Sequence, residues 1–284
     1  MRTGILVRNE WIKTRRRTAF WVASLVFAGL MSLIFGGMFS QGLRKPERAL
    51  TLPAAWGEVM GGPGVLAAFF ASIVLILLVS SEFTWRTSRQ NVIDGLSKEE
   101  FFGAKLFLLP GVGLFFFIVM VLVAGGFAFA GTVAKGVLGS TGALVRPADL
   151  ALMGGSIIGL LGWASLAFLL AIAIRSSGSA IGAFFLYFIV EQILGQLAGA
   201  LGPTAGELFR FAPNAVFKAL WEPARYGAVP LKAGQAPAIA TEWYLVAGLT
   251  YITPVRAHGV PAVPAARPVA CGPGATAFPR PVPA

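Results

Sequence analysis

The chain has 284 residues, of which 56% are hydrophobic and only 12% charged, with a mean hydropathy of +0.76 and a formal net charge of +11. Soluble globular domains carry roughly 25% charged residues, so this composition excludes that class and predicts an integral membrane protein. A single Cys (Cys271) and a single His (His258), both near the C-terminus, argue against an intrachain disulfide, a Cys/His metal cluster, or Ser-His and Cys-His nucleophiles in the membrane region.

In chain order, residues 1–17 place Ile5, Leu6, Trp11 and Ile12 among Arg2, Arg8, Lys13 and Arg15 to Arg17. This pattern suits an amphipathic helix in the membrane interface with its Trp at head-group depth, or simply a positively charged flank of the first span. The apolar run that follows is too long for a signal-peptide h-region and has no clear small-residue cleavage site. About 20 apolar helical residues cross the ~30 Å hydrocarbon core, and five runs qualify: 18–39, 64–81, 106–130, 150–174 and 180–201. A sixth, "WYLVAGLTYI", covers only 243–252 and is too short to cross. The predicted fold is all-α: a polytopic transmembrane helix bundle with an N-terminal interfacial helix, five full spans and an incomplete sixth.

Between spans two and three lies "SSEFTWRTSRQNVIDGLSKEEFFGAKLF", residues 80–107, with four basic and four acidic residues. Val92 and Leu96 lie four apart and Arg86 and Arg89 three apart, which gives a short helix an apolar and a basic face. Gly95 suits a left-handed C-cap, and Ser97 with Glu100 forms a capping box that starts the next helix. A structured, charged loop of this kind suits docking of a soluble partner; the plainer alternative is that its charges solvate the ends of spans two and three.

Glu191 is the one acidic residue deep within a span. An ionised carboxylate there costs at least ~2.5 kcal/mol, so it must face the bundle interior, a cavity or a partner. It is either part of a translocation path or subunit interface, with Gln192 and Gln196 extending a polar strip one turn on, or a protonated or hydrogen-bonded group that joins helices. Three G-x-x-x-G pairs, Gly155/Gly159, Gly178/Gly182 and Gly195/Gly199, permit close helix contact.

With the N-terminus inside, the cytoplasmic segments carry about twice the Lys and Arg density of the outer loops, which predicts that orientation. The net positive charge fits anionic lipid head groups and calls for no nucleic acid. Residues 253–284 hold eight of the 18 prolines and no acidic residue, and they begin inside the sixth apolar run. Such a segment cannot complete a span. It is either a natural disordered Pro/Ala-rich tail or the product of a shifted reading frame in GC-rich DNA, the latter preferred because the change falls in mid-helix.

In the order of its parts the chain resembles the type-two ATP-binding-cassette (ABC) export permeases. Residues 80–107 are similar to that family's loop between spans two and three: a glutamate at the end of span two, a Thr/Arg segment, a short helix, then Ser-Lys and "GAK" before span three. "VRNEWIKTRRRTAFWV", residues 7–22, is similar to its E-x-x-K interfacial helix, and "ELFRFAPNAVFKALW", residues 207–221, to the short amphipathic helix before its last span. The resemblance covers about residues 5–252, making 1–252 a transmembrane permease domain. It implies a coupling helix around Arg86, Arg89, Gln90, Asp94 and Lys98, with Glu82 where that helix joins span two, seated in a groove of a separate ATPase subunit. It also implies a second permease subunit and location in the cytoplasmic membrane of a prokaryote. No catalytic residue or cofactor is expected in this chain, which lacks a G-x-x-x-x-G-K-[ST] P-loop. The alternative is an ATPase-independent channel or a structural membrane scaffold; an intramembrane enzyme would need paired carboxylates or a His near a span end.

Overall fold

A computed structural model describes residues 2–84, 103, 105–137, 144–221 and 246–250. Every regular element among them is helical: α1 Arg2–Arg16, α2 Thr18–Arg44, α3 Ala55–Met60, α4 Gly62–Thr84, α5 Leu108–Ala134, α6 Pro147–Ile174, α7 Ser177–Leu201, α8 Pro203–Phe209 and α9 Pro213–Trp221, with a short 3-10 turn at Pro46–Arg48. Five helices among the described residues are long and apolar enough to cross a membrane, counting α3 and α4 as one continuous rod bent at Gly61. The architecture is that of a multi-pass membrane helix bundle. Arg86, Arg89, Gln90, Asp94 and Lys98 lie outside the described residues, as do 251–284.

The central helix is α4, which packs against α2, α3, α5, α6 and α7. Its small residues explain the fit: Ala67, Ala68, Ala71 and Ser72 are fully buried, and α6 answers with Ala164, Ala167 and Ala171. In lipid the apolar effect does not draw helices together, so close approach of small side chains carries the packing. Aromatic rings fill what remains. Phe27 meets Phe70 and Phe116 at 5.3 Å each, and Phe69 and Trp163 gather Phe184 and Phe188 around them. By contrast α2 and α7 turn large apolar side chains outward, among them Leu25, Leu33, Leu186, Ile189 and Leu197, as lipid-facing helices do.

The two ends of the bundle are built differently. On the α1 side, Arg17, Ser81 and Ser177 converge on one small cavity, and Arg175 adopts a left-handed conformation (φ 56°) that lets α7 start after only two intervening residues, Arg175 and Ser176. On the opposite side, Leu52 N–H donates to Thr132 Oγ1 at 2.8 Å and Trp56 Nε1–H to the Leu144 carbonyl at 3.0 Å. There α6 opens with Pro147 in its first turn. Asp149 accepts the Arg146 backbone N–H at 2.8 Å and its guanidinium at 3.0 and 3.1 Å, satisfying an otherwise orphan donor.

The three glycine pairs differ in use. A Cβ at Gly178, Gly182 or Gly199 would meet nothing within 4 Å among the described residues, so a larger side chain would fit there. At Gly155 and Gly195 an added Cβ would instead stand 2.9 Å from the Leu220 carbonyl oxygen and 3.0 Å from the Phe209 ring, so these two are close-approach points. Both contacts involve the segment 203–221. Rather than one amphipathic helix, this segment is two, α8 and α9, separated at 210–212. α8 folds back along α7, and α9 lies on α6. From Leu201 back to Glu191 is ten residues, so the hairpin re-enters the bundle by about 15 Å at 1.5 Å per residue. The fragment 246–250 of the sixth apolar run is helical, and Gly248 abuts Leu220 and Ile158.

Candidate functional site

Two buried polar clusters interrupt the apolar bundle. The first stands at the two ends of the charged segment 85–102. Glu10 of α1, Glu82 near the end of α4 and Lys105 just before α5 are 8%, 5% and 2% exposed. Lys105 Nζ lies 2.9 Å from Glu10 Oε2 and 2.7 Å from Glu82 Oε1, and Lys13 Nζ approaches Glu10 Oε1 at 2.8 Å. Among the described residues, two carboxylates thus face two ammonium groups. A buried charge persists only when paired and hydrogen-bonded, and this arrangement supplies a partner for each.

The neighbouring contacts lock the same junction. The Thr14 hydroxyl donates to the Glu10 carbonyl at 2.9 Å, and the Arg17 guanidinium donates to the Ser81 hydroxyl, joining the α1–α2 link to α4. Burial alone would push the Glu10 carboxyl up, but the charges and hydrogen bonds of Lys105 and Lys13 outweigh it and hold Glu10 below the ordinary carboxylate value. Mechanically, one lysine ties the interfacial helix, the end of α4 and the start of α5 into a single unit.

The second cluster surrounds Glu191. Asn214 and Ala215 stand in the first turn of α9, where backbone N–H groups have no intrahelical acceptor. Glu191 Oε1 accepts the Asn214 N–H at 2.6 Å, and the Ala215 N–H and Tyr187 hydroxyl are directed at the same carboxyl group. The side chain of one helix thereby performs for another the work of an N-cap, assisted by the helix dipole. Lys218, one turn along α9, lies close enough to attract it and stands 6.0 Å from the Phe188 ring centre. Non-helical backbone at this depth is tolerated only inside protein, and Glu191 supplies the acceptor that makes it so.

The residues singled out from sequence are dispersed accordingly. Glu82 belongs to the first cluster and Glu191 to the second. Gln192 is half-buried and Gln196 exposed on the outside of α7, so of the expected polar strip only Glu191 is buried within the chain. Sequence reasoning did not single out Glu10, Lys105 or Asn214. In the sequence Glu10 is the acid of "NEWIK" and Lys105 the lysine of "GAK", neither marked as buried, and Asn214 is the residue after the helix-opening Pro213. Among the described residues no group of three or more His, Cys, Asp and Glu side chains is placed to hold a metal ion.

Comparison of the chain with protein-family models, with curated proteins and with solved structures finds no match.

Proposed function

We propose that the chain is the membrane-spanning permease subunit of an ABC exporter, moving a substrate across the cytoplasmic membrane of a prokaryote with ATP hydrolysed by a separate subunit. The ATPase would dock on the segment between Glu82 and Lys105, with the N-terminus on the same, cytoplasmic, side and a second permease subunit completing the pathway. The observation that carries this reading is the buried Glu10–Lys105–Glu82 bridge. A loop that only solvates two helix ends needs no buried lysine at its root, whereas a loop that transmits force needs a rigid one. The resemblance of residues 80–107 to the coupling loop of the type-two export permeases supports the same assignment.

The test is co-purification. Affinity-tagged chain extracted in mild detergent should bring with it a P-loop ATPase, identified by mass spectrometry, and vanadate-sensitive ATP hydrolysis. Reversing charge at Arg86 and Arg89 should abolish both while membrane insertion is unchanged. Ion flux through liposomes holding this chain alone, with no P-loop protein recovered, would favour the channel reading; neither flux nor a P-loop partner would favour a scaffold.

A further inference from the structure

An open groove of about 430 Å³ runs between α1 and the first half of α5, walled by Val7 and Trp11 on one side and Leu108, Gly111, Leu114 and Ile118 on the other. The α5 residues form one stripe, and from Leu108 to Ile118 they extend about 15 Å along the helix, from the level of α1 well into the apolar layer. Gly111 keeps it open. A Cβ there would already stand 3.6 Å from the Trp11 ring, and any longer side chain would fill the space. Leu114 and Ile118 are 40% and 53% exposed, so the groove opens sideways toward lipid.

The helix that walls it on one side, α1, is basic. Arg8 and Arg15, seven residues apart, share a face of α1 beside Trp11, and both are exposed. Among the described residues neither has an acidic partner, although Lys13 on the same helix is paired with Glu10. Two exposed guanidinium groups on the Trp11 face of α1, beside an apolar groove of chain-like length, match a phosphate joined to a hydrocarbon tail. Arginine is suited to such a group because its planar fork meets phosphate oxygens two at a time. We infer that this groove is a binding site for one anionic phospholipid, an acyl chain lying along Gly111 and the phosphate held by Arg8 and Arg15. The bound lipid would cement α1 to α5 from outside, next to the point where Lys105 joins them from inside.

The proposal is tested by photo-crosslinking the full chain, in nanodiscs, with phosphatidylglycerol bearing a diazirine in its acyl chain, against the phosphatidylcholine analogue. Peptide mapping should place adducts on 7–11 and 107–118, several-fold more with phosphatidylglycerol. Gly111→Leu should remove them and Gly111→Ala should retain them. The exposed pair Arg8→Gln/Arg15→Gln, which leaves the packing untouched, should bring the two lipids to equal labelling. Equal labelling by both lipids in the unaltered chain, or adducts no denser in the groove than on the exposed Leu25–Leu33 face of α2, would overturn it.

Discussion

The carboxyl group of Glu191 accepts the backbone N–H of Asn214 at 2.6 Å, so the one acid deep in a span is the cap of a half-helix that enters the bundle from one end. The position has an energetic rationale independent of transport. A first-turn N–H left without an acceptor in an apolar setting costs about 1–3 kcal/mol, and the Glu191 carboxyl group faces two such donors.

Substitution at this position should therefore follow hydrogen-bonding capacity. Glu191→Gln keeps an acceptor and loses only the charge-dipole contribution of about 0.3–1 kcal/mol, so its melting temperature in detergent should stay near that of the unaltered chain. Glu191→Leu removes the acceptor and should melt markedly lower, with easier proteolysis within 203–221. Equal melting curves for the two variants would rule out the capping role.

Lys105 should be the least replaceable charge in the chain. Lys105→Met removes the ammonium group that Glu10 and Glu82 share in a buried site, with Lys13 still paired to Glu10, at a cost of up to about 3–5 kcal/mol. The triple change Lys105→Met, Glu10→Gln and Glu82→Gln also removes the two buried carboxylate charges and should recover much of that loss, since Lys13 is half exposed and tolerates losing its partner. Circular dichroism melts of the two variants decide this. If the triple variant is no more stable than the single one, the cluster is not held by charge pairing.

Acidification probes the same cluster through Glu10. Its folded pKa lies below the ordinary value of 4.5, so it binds protons more readily unfolded than folded. Its stabilising contribution is complete above that ordinary value and is lost as pH falls from about 4.5 through the lower folded value. Melting temperature should accordingly be insensitive to Glu10 near neutral pH and should drop below about pH 4.5. In Glu10→Gln that part of the drop should disappear, and an unchanged acid profile would contradict the assignment.

The spans were legible because twenty apolar residues in a row have one structural use in a membrane protein, and Glu191 was legible as buried because a lone acid there has to find a partner. Glu10 and Lys105 were not, for a physical reason: they are 95 positions apart, and each by itself reads as an ordinary charge beside an apolar run. Only the fold shows that the lysine is sealed between α1, α4 and α5. The division of 203–221 into two helices was half legible, since Pro213 marks a helix start. That α9 inserts against α6 rather than lying on the surface depends on Gly155 and Gly162, whose missing side chains look unremarkable in sequence.

Gly162 carries the sharpest packing prediction. It lies near the middle of α6, and a Cβ there would overlap the Phe217 ring of α9. Phe217 is 1% exposed and wedged against Trp163, with ring centres 5.8 Å apart, so it has no room to retreat. Even Gly162→Ala should force α9 outward, at the roughly 1–3 kcal/mol typical of overpacking, and in doing so draw Asn214 away from Glu191. The penalty arises from one ring, which makes it reversible: adding Phe217→Leu shortens the clashing side chain and should restore most of the lost stability, while Phe217→Leu alone leaves a void and destabilises. A double-mutant cycle on melting free energies should therefore give a coupling well above the ~0.5 kcal/mol expected of independent sites. Additive effects would mean that α9 does not rest on Gly162.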